Sequence, residues 1–152
     1  MKIIFLDIDG VLNSAKYDRA RSDTDGNIDA TRLPLLKQLV DATGAEIVLT
    51  STWRKLWERD ESQNTETGKE LNRIFASVGL KIFDKTPISG FRKDEVLAWL
   101  NANPDATDFC IIDDMPFGWG ELSDHFVKTD PLIGYGLEQQ HIDKAVKILS
   151  NP

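Results

Sequence analysis

Three short apolar runs constrain this chain most: KIIFLD at residues 2–7, AEIVL at 45–49 and FCII at 109–112. Each is short and unalternating, the pattern of a strand buried on both faces. Segments with helical spacing lie between them. Leu33, Leu36, Leu39 and Val40 form one apolar face, with Pro34 near its start and Gly44 as its stop. Leu71, Ile74, Phe75 and Val78 form a second face that ends at Gly79. KDEVLAWLNA at 93–102 is a third, with Val96, Leu97 and Leu100 together, and Ile142, Val146 and Leu149 belong to a last helix over 138–149. Further short strands are expected at 80–83 and 125–128. Strands alternating with helices predict an α/β fold, a three-layer Rossmann-like parallel sheet with helices on both faces and right-handed crossovers.

The 152 residues are expected to form one domain spanning 1–152. Residues 14–28 and 60–68 are polar and read as loops, the first with Asp25-Gly26 as a turn and a small hairpin as its alternative. Asp and Glu number 25 against 18 Lys and Arg, and the net charge of -7 excludes a general affinity for nucleic acid. A local basic patch remains compatible with it. Cys110 is the single cysteine and lies in an apolar run, so it reads as core and fits a reducing compartment. No stretch approaches the ~20 apolar residues of a membrane span. The N-terminal run is short and contains Asp7, unlike a signal peptide. A cytoplasmic location without a membrane partner is the expectation.

Ligands of open α/β sheets bind outside the carboxyl ends of the strands. The first run delivers Asp7 and Asp9 there, the second Thr50 and Ser51, the third Asp113 and Asp114. Four carboxylates at one edge repel each other unless a positive charge lies between them. Mg²⁺ suits such a site, with a substrate phosphate completing its shell. The two hydroxyls and Lys93, at the start of the third helix, are placed to hold the phosphate. Gly10 allows a sharp turn after Asp9, so Asp7 and Asp9 take different directions. A carboxylate nucleophile beside a carboxylic acid suits a phosphoaspartyl intermediate.

The order FLDIDGVL, IVLTS, Lys93, IIDD resembles the haloacid dehalogenase (HAD) superfamily of phosphotransferases, over residues 3–114. DIDGVLN, LTSTWR and the late Gly136-Leu137 are most similar to one branch, the HAD domains of Swiss Army knife RNA repair proteins and their small stand-alone relatives. The resemblance implies a HAD-type phosphatase with Asp7 as nucleophile. It implies Asp9 as general acid and base, with its backbone carbonyl on the metal. Asp113 and Asp114 match the metal-binding pair and Lys93 the phosphoryl-holding cation. Either Thr50 or Ser51 matches the phosphate-binding hydroxyl. Arg54 is a substrate-contact candidate outside the superfamily pattern. Neither position at which relatives carry a cap domain has residues to spare, so the resemblance implies a capless, open site. Open sites of this kind go with larger substrates, here a nucleotide or a nucleic-acid end, with Arg54, Lys55 and Arg92 near the rim.

Other readings are weaker. DTDGNID lacks the calcium-loop pattern, since counting from Asp23 the sixth and twelfth positions hold Ile28 and Pro34. His125 and His141 have no partner pattern for zinc. Trp53, Trp57 and Phe91 admit stacking on a base, but packing is the commoner role. Thr50 and Ser51 are also placed to cap the next turn, which is compatible with phosphate binding. The competing functional class is a non-catalytic metal- and phosphate-binding module, for which Asp9 would be superfluous.

Overall fold

The computed structural model describes residues 1–23, 25–116 and 118–150. Five parallel strands make its sheet: β1 (Lys2–Leu6), β2 (Glu46–Leu49), β3 (Ile82–Lys85), β4 (Asp108–Asp113) and β5 (Phe126–Lys128), in the spatial order β3-β2-β1-β4-β5. The central strand, β1, is the most apolar, and its residues alternate between two cores. Ile4 and Leu6 pack with α2 (Leu33–Thr43), α3 (Glu66–Ala76) and α5 (Gln139–Ser150) through Leu36, Leu39, Phe75, Ile142 and Leu149. Ile3 and Phe5 pack on the opposite face against Val96 and Trp99 of α4 (Arg92–Ala102), with Trp119 and Leu122. This is the three-layer α/β architecture expected. Strand order reverses between β1 and β4, so the crevice at their carboxyl ends is the place for a site.

Local signals account for the element ends. Gly44 stops α2 in the left-handed conformation, φ 70°, and Pro34 occupies its first turn. The two polar segments are more ordered than expected. Residues 14–28 carry a short helix, α1 (Ala15–Ala20), capped by the Ser14 hydroxyl, which accepts from the Tyr17 N–H at 3.1 Å. Thr24, in the same segment, lies outside the described residues. Within 60–68, Thr65 caps α3 by accepting from the Gly68 N–H at 3.0 Å, so this helix starts inside the polar stretch. The buried face of α4 is Glu95, Val96 and Trp99, with Leu97 and Leu100 only partly covered. Burial pushes the Cys110 thiol up to about 12, the state of an inert core cysteine. Among the described residues no helix is long and apolar enough to cross a membrane.

Candidate active site

Register brings the acids together. Leu6 pairs with Leu49 of β2 and with Ile112 of β4. The ladder runs one residue further, as the Asp7 N–H donates to Ile112 O and the Thr50 N–H to Leu6 O, both at 3.0 Å. Thr50, Asp7 and Asp113 therefore stand level at the carboxyl edge. All three are buried, Asp7 at 3 % exposure and the other two at 0 %. Asp114, half-buried, follows. One carboxylate oxygen from each of Asp7, Asp113 and Asp114 lies within 4.8 Å of the others, a group able to hold a metal ion.

Gly10 makes this packing possible in two ways. Its φ of +85° is left-handed, and a Cβ there would sit 2.5 Å from Asp114 Cγ. The loop after β1 is then tied from outside. The Thr129 hydroxyl donates to Gly10 O at 2.7 Å, the Gly10 N–H donates to Asn13 Oδ1 at 2.8 Å, and Gly136 packs against the carbonyls of Val11 and Asn13.

Electrostatics follow from burial. Without a cation, desolvation and then the neighbouring Asp113 charge push Asp7 up to about 7, while Arg92 pulls it back down. Asp114 is raised for the same first reason, followed by its hydrogen bond with Asp113 and that residue's charge. Three convergent carboxylate oxygens, with Asp7 and Asp114 disfavoured as bare charges, fit a hard divalent cation.

Arg92 opens α4, and its Nη1 reaches Asp7 Oδ1 at 3.0 Å and Asp113 Oδ2 at 2.8 Å. Lys93 pairs with Glu121 at 2.8 Å beside Gly120 and lines a neighbouring hollow with Arg92 and Asp113, without an ion pair to the acids. Consecutive helical residues point about 100° apart, and it is Arg92 whose direction meets the acids. The expectation for Lys93 is corrected here: the cation beside the carboxylates is Arg92. Arg54 is likewise corrected. It is buried, and its five N–H groups reach the carbonyls of Thr50, Ser51, Thr86 and Pro87 and the Glu95 carboxylate, the last at 2.8 Å. No donor is left for a substrate.

The two expected hydroxyls differ. Thr50 Oγ1 is buried and, among the described residues, is the one such side-chain atom without a hydrogen-bond partner. Ser51 Oγ accepts from the Trp53 N–H at 3.2 Å and caps the 3₁₀ turn over Thr52–Leu56. The exposed hydroxyl is that of Thr52, which lines a hollow of about 370 Å³ with Asp7, Asp9, Asn13, Arg92 and Asp114.

Asp9 is exposed and its carboxylate lies outside the acidic trio. Its Oδ1 accepts from Asn13 Nδ2 at 3.0 Å and its Oδ2 from Trp53 Nε1 at 3.2 Å. Asn13 is anchored in turn, donating to Asn27 O at 3.0 Å. Asn13, Thr52 and Arg92 are thus the site residues that sequence reasoning missed or underused. The N of DIDGVLN was the available signal for Asn13.

The chain matches the family described as the HAD domain in Swiss Army Knife RNA repair proteins over residues 3–142. No curated protein and no solved structure matches it.

Proposed function

The chain belongs to the family of HAD domains in Swiss Army Knife RNA repair proteins, and on that premise we propose that it is a Mg²⁺-dependent phosphomonoester hydrolase. The observation that carries this reading is the division between its acids: three carboxylates converge, while Asp9 is held apart by two N–H donors. Asp7, Asp113 and Asp114 would hold Mg²⁺, which when bound neutralises charge on the transferring phosphoryl group. Asp7 Oδ attacks phosphorus, and the bond from phosphorus to the leaving alcohol breaks. Asp9 gives its proton to that oxygen. The resulting Asp9 carboxylate then takes a proton from water, whose oxygen attacks the phosphoaspartyl phosphorus and frees Asp7 and inorganic phosphate. Arg92 supplies the fixed positive charge beside the reacting oxygens. Thr50 Oγ1, level with Asp7 and without a partner, and Thr52, in the hollow, are the hydroxyls available to phosphate.

The substrate is a nucleotide or a nucleic-acid end phosphate in this reading. The test is phosphate release from an aryl phosphate and from mononucleotides, with and without Mg²⁺, for wild type, Asp7→Asn and Asp9→Asn. Metal-dependent turnover lost in both variants is expected. Wild type that binds Mg²⁺ and phosphate yet releases no product across the panel would favour the binding module instead.

A further inference from the structure

From the position of Asp9 we infer that a trench beside Trp53 is the leaving-group subsite, and that it takes a neutral, flat-ringed alcohol of nucleoside class. This rests on the hydrolase reading above, because the acid that protonates the leaving oxygen marks the side on which that group departs. Asp9 Oδ2 faces the Trp53 indole N–H. Thr52 lines both the acidic hollow and a second one of about 280 Å³. Asn27, Trp53 and Thr67 of this second hollow also line a third, of about 420 Å³. The three therefore lie side by side from Asp9 past the indole towards α3. Volumes of this order are those of small-molecule sites.

The lining chooses the chemistry. Trp53 is half-buried, with its N–H end fixed on Asp9, so its ring is held in place as a platform. The Asn27 side-chain amide and the Thr67 hydroxyl make no hydrogen bond among the described residues and remain available to polar edges of a ring or sugar. Charge in the trench is net acidic. Beside α3 Glu66 and Glu70 line it, and Arg73, the cation there among the described residues, is paired with Glu70. A second phosphate there would meet two carboxylates and, among the described residues, a cation already paired. The leaving group is therefore uncharged, which favours a mononucleotide over a chain that continues through further phosphates.

The experiment compares kcat/KM for adenosine 5′-monophosphate, glycerol 3-phosphate and a 5′-phosphorylated oligonucleotide, in wild type and Thr67→Phe, with Mg²⁺. Thr67 is exposed, so the bulkier side chain narrows the trench without disturbing the core. Adenosine alone is titrated in parallel, and the Trp53 indole N–H is followed by NMR, assigned with Trp53→Phe. The nucleotide is expected to exceed glycerol phosphate by about tenfold, through KM, and the oligonucleotide to be slower. Thr67→Phe should cut that preference about tenfold, and adenosine should shift the Trp53 signal saturably. Equal turnover of nucleotide and glycerol phosphate, or a faster oligonucleotide, overturns the subsite and leaves the hydrolase standing. No turnover of any phosphate with a saturable adenosine shift overturns the hydrolase and keeps the trench as a nucleoside site. No turnover and no shift overturns both.

Discussion

Asp7→Asn should do two opposite things: abolish turnover and stabilise the metal-free protein above neutral pH. The cost it relieves is that of a charge buried at 3 % exposure beside Asp113. The carboxyl is raised from 3.8 to about 7, so the folded state keeps a proton that the unfolded chain releases. Stability is then lost as pH rises through this window, and the loss is complete above it. At 1.36 kcal/mol per unit the ceiling is roughly 4 kcal/mol. Asparagine recovers part of this. Its Oδ1 still accepts from the Ile8 N–H, and the attraction of Arg92 is already counted in the raised value, so the ceiling is lowered only by the cost of burying the new Nδ2 amide, leaving a net gain of about 2 kcal/mol. That is visible against a total of ~5–15 kcal/mol. The assay is urea unfolding in EDTA at pH 4, 6 and 8. The gain should be near zero at pH 4, intermediate at pH 6 and full at pH 8. Excess Mg²⁺ at pH 8 should stabilise wild type more than the variant. A gain equal at all three pH values, or a variant less stable at pH 8, would refute the reasoning.

Gly10→Ala meets both a left-handed backbone and the Asp114 carboxylate, and should lower the unfolding free energy by about 2 kcal/mol, read from the urea midpoint. Arg92→Met should cut kcat/KM for an aryl phosphate about 100-fold, while Lys93→Met, which removes only an exposed pair with Glu121, changes it less than about threefold. The reverse order would restore Lys93 to the site.

The sheet and its acidic edge were legible because both are written locally. An apolar run of five residues followed by acids states its own burial, and register follows once β1 lies between β2 and β4. Arg92 and Lys93 were not separable in this way. They are neighbours, and which one faces Asp7 depends on the phase of α4, set by where that helix begins. Arg54 looked available because its partner, Glu95, lies on another helix and its other acceptors are carbonyls, which carry no side-chain signature. Trp53 and Asp9 meet only after β1 and β2 pair. Thr52 falls outside the strand-end pattern, which points to the first residues beyond β2, whereas the hollow is lined by the first residue of the turn that follows.

The Arg54–Glu95 pair is an expensive way to fill a core, since buried ion pairs are often no better than apolar residues of the same shape. Its position explains what it does. Glu95 Oε2 accepts from the Ser89 N–H at 2.8 Å and lies 2.8 Å from Arg54, which in turn gathers the carbonyls after β2 and β3. The entry of α4 is thereby tied to the edge that carries Thr50, and the phase that turns Arg92 towards Asp7 is set. Glu95→Gln, which leaves Arg54 buried without its counter-charge, should cost about 3 kcal/mol of stability. Arg54→Met with Glu95→Leu removes both charges and should recover most of it, yet kcat/KM should stay reduced about tenfold because nothing then ties the entry of α4. Urea unfolding and steady-state kinetics on the two variants separate the roles. A double variant as active as wild type would show that packing alone orients Arg92.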